Sequence, residues 1–137
     1  MKIGEFSRRA GETVDTLRYY DRIGLLVPGR GECGSRIYSE EDLDKMKEIQ
    51  ILKSLDFTLE EIKTILDLDS ELDECLERGM SKSEVFQAKE EAVGELRKLI
   101  GEKLEELARK EEEIRKARDR LKEIKSKLRS PEKSRGE

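Results

Sequence analysis

Between Phe86 and Leu128 the chain keeps a single beat. Phe86, Val93, Ile100, Leu107, Ile114, Leu121 and Leu128 recur every seven residues, and Leu96, Ala117 and Ile124 each follow one of them by three. Alternating steps of three and four define a 3.5-residue repeat, the signature of a left-handed coiled coil. No proline interrupts the run. Extended as one helix, about 47 residues rising ~1.5 Å each reach ~70 Å. Lysines at 89, 103 and 110 occupy three seam positions and weaken it, while Leu99 and Leu104 flank it. An apolar seam on a helix with nothing local to cover it needs a partner, most simply a second copy of the chain. The alternative is an intramolecular hairpin near Gly94 or Gly101. The repeat passes through both glycines without losing phase, which favours two chains.

Charge supports long solvated helices. Charged residues make up 45% of the 137 and hydrophobic ones 34%, enough for one small domain plus something extended. The net charge of −4 is unevenly placed. Residues 1–38 carry seven Lys/Arg against five Asp/Glu, and residues 39–69 carry four against ten. Local positive charge is thus weak and N-terminal, compatible with DNA if a dimer doubles it.

Several classes fall away. The chain has no histidine, so imidazole bases and His-type zinc sites are excluded, and Cys33 and Cys75 form no CxxC pair. No cofactor and no metal site is expected, and neither is an enzyme: there is no Gly-rich phosphate loop, and the acids read as solvated helix faces. No apolar run approaches the ~20 residues that span a bilayer. The opening MKIGEFSRRAGE has no signal-peptide h-region. A cytoplasmic protein without a membrane partner is the expectation.

Four regions follow from the pattern: two helix pairs around a turn-rich segment at 1–68, an acidic connector at 69–80, a coiled-coil helix at 81–129 and a polar tail at 130–137. Ile3, Phe6 and Ala10 define one short helix that stops at Gly11. Val14, Leu17 and Tyr20 define a second, with Thr13 as its N-cap, that stops at Gly24. Two helices across a glycine turn are a helix-turn-helix. LVPGRGECGSRIY, residues 26–38, reads as a small β-hairpin or wing. SEED at 39–42 and TLEE at 58–61 open a further helix pair, and SKSE at 81–84 opens the long helix.

On the second helix Arg18 and Tyr19 are rotated ~100° and ~200° from Leu17, off the core stripe. A guanidinium and a phenol presented together suit phosphate oxygens and base edges. Equally, Tyr19 could cover a neighbouring helix while Arg18 pairs with Asp15 or Asp21. Arg30, Arg36 and Tyr38 surround the wing turn, where a basic tip could touch the DNA backbone.

KIGEFSRRAGETVDTLRYYDRIGLL, GSRIYSEEDL and LDFTLEEIKTIL, in that order, resemble the DNA-binding domain of the MerR-type transcription regulators. The resemblance covers residues 1–68, and the long helix is similar to the family's antiparallel dimerisation helix. It implies a mainly α fold: a winged helix-turn-helix with a second helix pair, followed by an antiparallel two-chain coiled coil. It implies a homodimer on double-stranded, near-palindromic promoter DNA, which it bends and untwists to realign promoter elements for RNA polymerase. By position it places Thr13, Asp15, Thr16, Arg18 and Tyr19 on the recognition helix, Arg36 and Tyr38 on the wing, and Lys53 on a backbone-contacting helix. The dimer seam takes Val93, Leu96, Ile100, Leu107, Ile114, Ala117, Leu121, Ile124 and Leu128. Three residues depart from the family pattern: Asp15 is acidic, Ser35 replaces an aromatic, and Asp56 replaces a glycine. Metal-sensing members carry cysteines at and after the start of the dimerisation helix; here Ser81 stands near that start and no cysteine follows Cys75. A regulator without an effector, a piece of a longer protein, and a ligand held beside the coil all remain open. The competing class is a coiled-coil adaptor whose N-terminal domain binds protein.

Overall fold

The computed structural model describes residues 1–79 and 81–131. It forms two bodies, one ending at Ala88 and one beginning at Lys89. In the first, α1 (Ile3–Ala10) ends where Gly11 turns left-handed at φ 72° and its N–H reaches Ser7 O. α2 (Val14–Arg22) opens on Thr13, whose hydroxyl accepts from Thr16 N at 3.1 Å. β1 (Gly29–Arg30) and β2 (Arg36–Ile37) pair antiparallel, with Gly29 opposite Ile37 and Arg30 opposite Arg36, and a short 3-10 turn between them forms the tip.

α3 (Glu40–Ser54) and α4 (Leu59–Glu77) each begin with a reciprocal capping box. Ser39 Oγ accepts from Asp42 N while Asp42 accepts from Ser39 N, and Thr58 and Glu61 repeat the exchange. Each box satisfies two donors that a helix start otherwise leaves orphaned. The core is built from one face of each element: Phe6, Leu17, Tyr20, Met46, Ile49 and Ile62 are all essentially solvent-free. Burying each is worth roughly 1.5–3 kcal/mol. Arg9 ties α1 to α3 through both oxygens of Glu40, at 2.6 and 3.1 Å.

The turn between α3 and α4 passes through Asp56 at φ 66°, the left-handed region. The residue that departs from the family's glycine therefore keeps a glycine-type backbone, which a short polar side chain tolerates at a cost. Replacing Asp56 by glycine is expected to raise stability by up to about 1 kcal/mol, since relief of the strained φ outweighs the extra unfolded-state entropy. Urea denaturation of the two proteins measures it; a destabilised glycine variant would contradict it.

Two boundaries differ from the sequence reading. The acidic stretch from 69 is not a connector over its whole length, because α4 continues through it to Glu77 and stops at Gly79 with φ 73°. Leu68, Leu72 and Leu76 extend an i, i+4 stripe among the acids, buried at Leu68 and exposed by Leu76, and α4 packs against the following short helix, α5 (Lys82–Ala88). The long helix is also shorter than the repeat suggests. The backbone leaves helical geometry at Lys89 (φ −130°, ψ 32°), and α6 runs Glu90–Lys127, 38 residues. That is about 57 Å. Phe86 and Lys89 therefore lie ahead of the long helix. No residue of α6 is buried.

Candidate nucleic-acid interface

α2 divides its residues cleanly. Leu17 and Tyr20 face the core, while Asp15, Arg18, Tyr19 and Arg22 stand exposed. Thr13 and Thr16 are engaged with each other: beyond the backbone cap, the Thr13 hydroxyl donates to Thr16 Oγ1 at 2.8 Å. They set the start of the helix. Asp15 is almost wholly exposed, and Arg18 Nη1 lies 3.8 Å from its carboxylate, a loose i, i+3 pair. Such a pair contributes little in water and leaves the guanidinium available. Tyr19 is 44% exposed, and the Arg22 guanidinium carbon sits 5.6 Å from its ring centroid. That cation–π stack keeps a cation beside the phenol without neutralising it. Arg18, Tyr19 and Arg22 thus form one polar, cationic face.

Asp21 fixes the wing beside that face. Its Oδ2 accepts from Arg30 Nη2 at 2.7 Å and from Arg36 Nε at 2.8 Å. The carboxylate is only 8% exposed, whereas Arg30 remains half exposed and Arg36 about a quarter. The Arg36 hydrogen bond, followed by those of Arg30 and the attraction of both cations, holds the Asp21 carboxyl below its ordinary range against the opposing effect of burial. One acid on α2 therefore orients both strands of the hairpin. The Met1 ammonium donates to Tyr38 O at 2.6 Å, Tyr38 N donates to Met1 O, and Lys2 bridges to Ile37, fastening β2 from its other side.

Of the residues expected to contact DNA, Arg18 and Tyr19 share α2, and Arg36 is joined to that helix through Asp21. Tyr38 is corrected. It is 1% exposed and stacked on Phe6, with centroids 4.2 Å apart and planes 17° apart. It holds the wing to the core and presents no surface. Burial also pushes its hydroxyl above the ordinary phenol range. Lys53 stands exposed in the last turn of α3, on a separate element. The role of Asp21 escaped the sequence reading, which offered it to Arg18; its pairing across nine and fifteen residues leaves no helical-spacing signal. Arg22 shows one, three residues after Tyr19 on the same face.

On α6 and its C-cap Leu128 the expected seam residues share one stripe, interrupted at Lys103 and Lys110. Ile100, Ile114, Ala117, Leu121, Ile124 and Leu128 are exposed, and Val93, Leu96 and Leu107 are partly covered. Among the described residues no helix is long and apolar enough to cross a membrane.

These elements define a winged helix-turn-helix protein with a long C-terminal helix. The family described as "MerR HTH family regulatory protein" matches residues 1–69. The Escherichia coli transcriptional regulator ZntR is 35% identical over 101 residues, 72% of each chain. The transcriptional activator TipA of Streptomyces coelicolor is 46% identical over 66 residues, 47% of this chain and 26% of TipA. A crystal structure of a MerR-family regulator from Bacillus cereus superposes with a TM-score of 0.51 at 32% identity, over 96% of this chain and 84% of that one. The chain belongs to the MerR family of helix-turn-helix regulatory proteins. It spans about a quarter of the length of TipA.

Proposed function

We propose that the chain is a cytoplasmic, homodimeric transcription regulator that binds a near-palindromic promoter through α2 and the wing and distorts it to control RNA polymerase. The observation that carries this reading is the clamp at Asp21: it holds a basic hairpin against the helix that displays Arg18, Tyr19 and Arg22. A helix for the major groove and a hairpin for the adjacent backbone are thereby a single rigid unit. Dimerisation supplies the second unit. Residues 90–113 carry nine Glu against five Lys/Arg, and residues 114–129 carry eight Lys/Arg against two acids. Parallel copies would stack like charge on like, whereas antiparallel copies cross the blocks.

A footprint on the DNA upstream of the gene would locate the operator, its half-site spacing and any distortion. On that operator, Arg18→Ala is expected to weaken binding by about tenfold or more, the loss of one good base or phosphate contact. If Arg18 touches phosphate, the salt slope falls by about one as well. An unchanged titration at physiological salt would remove Arg18 from the interface.

A further inference from the structure

The stripe on α6 is interrupted by charge. Lys103 and Lys110 lie at seam positions between Ile100, Leu107 and Ile114, and both reach Glu106, at 3.7 and 3.2 Å. The hydrogen bond and charge of Lys110, then Lys103, hold the Glu106 carboxyl below its ordinary range. Lysines in a seam are costly unless acids meet them, and polar seam positions are a device for fixing register.

Resting on the dimer reading above, we infer one register for the α6 pair: Lys103 lies beside Glu113 of the partner subunit and Lys110 beside Glu106 of the partner subunit. In an antiparallel coil each core layer sets a residue of the Val93–Ile100–Leu107 series against one of the Leu96–Ala117–Ile124 series, so only shifts of whole heptads are allowed. In the register with Glu90 opposite the partner's Lys127, α6 overlaps its copy from end to end, because those are the residues at which the helix begins and ends. Its layers set Val93 on the partner's Ile124, Leu96 on the partner's Leu121 and Ile100 on the partner's Ala117. Lys103 then falls on the partner's Ile114 and Lys110 on the partner's Leu107, and the residue preceding each of these is a glutamate, Glu113 and Glu106. At the rim Glu90 meets the partner's Lys125. The opposing costs are Arg97 against the partner's Arg118 at the solvent edge, where screening is strongest, and Glu106 against the partner's Glu113, which the seam lysines beside them offset.

Each neighbouring register loses part of the hydrophobic overlap and one of the two lysine–glutamate pairings. One heptad in one direction puts Lys110 beside the partner's Leu99 and carries Leu121 and Ile124 past the start of the partner's α6. One heptad in the other puts Lys103 beside the partner's Arg120 and leaves Val93 without a partner layer. Hydrophobic overlap and charge pairing therefore select the same arrangement. The parallel alternative opposes Lys103 to Lys103 and Lys110 to Lys110.

The test uses the full chain with Cys33→Ser and Cys75→Ser. Proteins carrying Ile100→Cys or Ala117→Cys are mixed, allowed to exchange subunits and mildly oxidised. A disulfide-linked dimer should form in the mixture and in neither protein alone. Crosslinking of Ile100→Cys with itself would establish a parallel pair, and crosslinking with Lys110→Cys or Ile124→Cys in place of Ala117→Cys would establish a shifted register; each overturns the inference while leaving the dimer. A monomer in analytical ultracentrifugation at micromolar concentration overturns the dimer reading and the register together. Independently, Lys103→Glu and Glu113→Lys should each weaken the dimer several-fold, and the double variant should recover most of that loss; additive losses would overturn the pairing.

Discussion

Replacing Asp21 by asparagine is expected to weaken operator binding by about tenfold or more, although the change makes the surface proposed to meet DNA more positive. Counting charge alone predicts the opposite sign, since each added positive charge near phosphate strengthens binding. Geometry reverses it. Asp21 Oδ2 is the common acceptor for Arg30 and Arg36, and it is nearly buried. An amide can accept there, but it cannot offset two guanidinium charges, one of which is three-quarters covered. The hairpin then loses its fixed position against α2, and binding must pay to order it again. The same variant should lose about 2–3 kcal/mol of folding stability, the scale for breaking hydrogen bonds to a charged, largely buried group. Operator titration together with urea denaturation decides the matter. Tighter binding at unchanged stability would mean that the wing is held by other contacts.

The pH dependence of that difference follows from the direction of the Asp21 shift. Its carboxyl is more acidic folded than unfolded, chiefly because of Arg36. Its contribution is fully present above the unfolded carboxylate range and is lost as pH falls through the folded value. The stability gap between the natural protein and Asp21→Asn should therefore be widest near neutrality and close in acid. A gap that widens in acid would assign the effect to another group.

Legible in the sequence is whatever repeats or caps locally. SEED and TLEE declared two helix starts, and both boxes form. Thr13 was a readable N-cap, and the separation of Leu17 and Tyr20 from Arg18 and Tyr19 followed from helical angle alone. What stayed hidden depended on distance in the chain. Asp21 meets arginines from a hairpin whose fold is needed before the three can be seen together. Tyr38 follows a wing arginine and so read as a surface residue; its stacking on Phe6 is set by the bridge between β2 and the segment before α1. The acids from 69 onward masked the Leu68, Leu72 and Leu76 stripe that carries α4 forward. The break at Lys89 has no proline or glycine to mark it. The heptad phase persists across that break, so the pattern overstated the length of the helix.

The seam carries the second large effect. Leu121 is 65% exposed in the single chain, so glutamate at this site disturbs no monomer packing and keeps good helix propensity. In the register inferred above it would meet Leu96 of the partner subunit, and symmetry would repeat the fault in a second layer. Losing two leucine layers at roughly 1.5–3 kcal/mol each should raise the dimer dissociation constant by about a hundredfold or more. Leu121→Glu should then sediment as a monomer at concentrations where the natural chain is a dimer. Without a partner on its seam α6 loses the packing that most helices in proteins depend on, so far-ultraviolet ellipticity should fall as well, while the domain built around Phe6, Leu17 and Met46 still unfolds cooperatively. Operator binding should drop by a factor on the order of 10²–10⁴, because each half-site is then held without the effective concentration that linkage supplies. The salt slope of what binding remains should be about half that of the dimer, since one unit replaces two. A variant that stays dimeric and binds its operator normally would show that the contact between chains lies elsewhere than on the Leu96–Leu121 stripe.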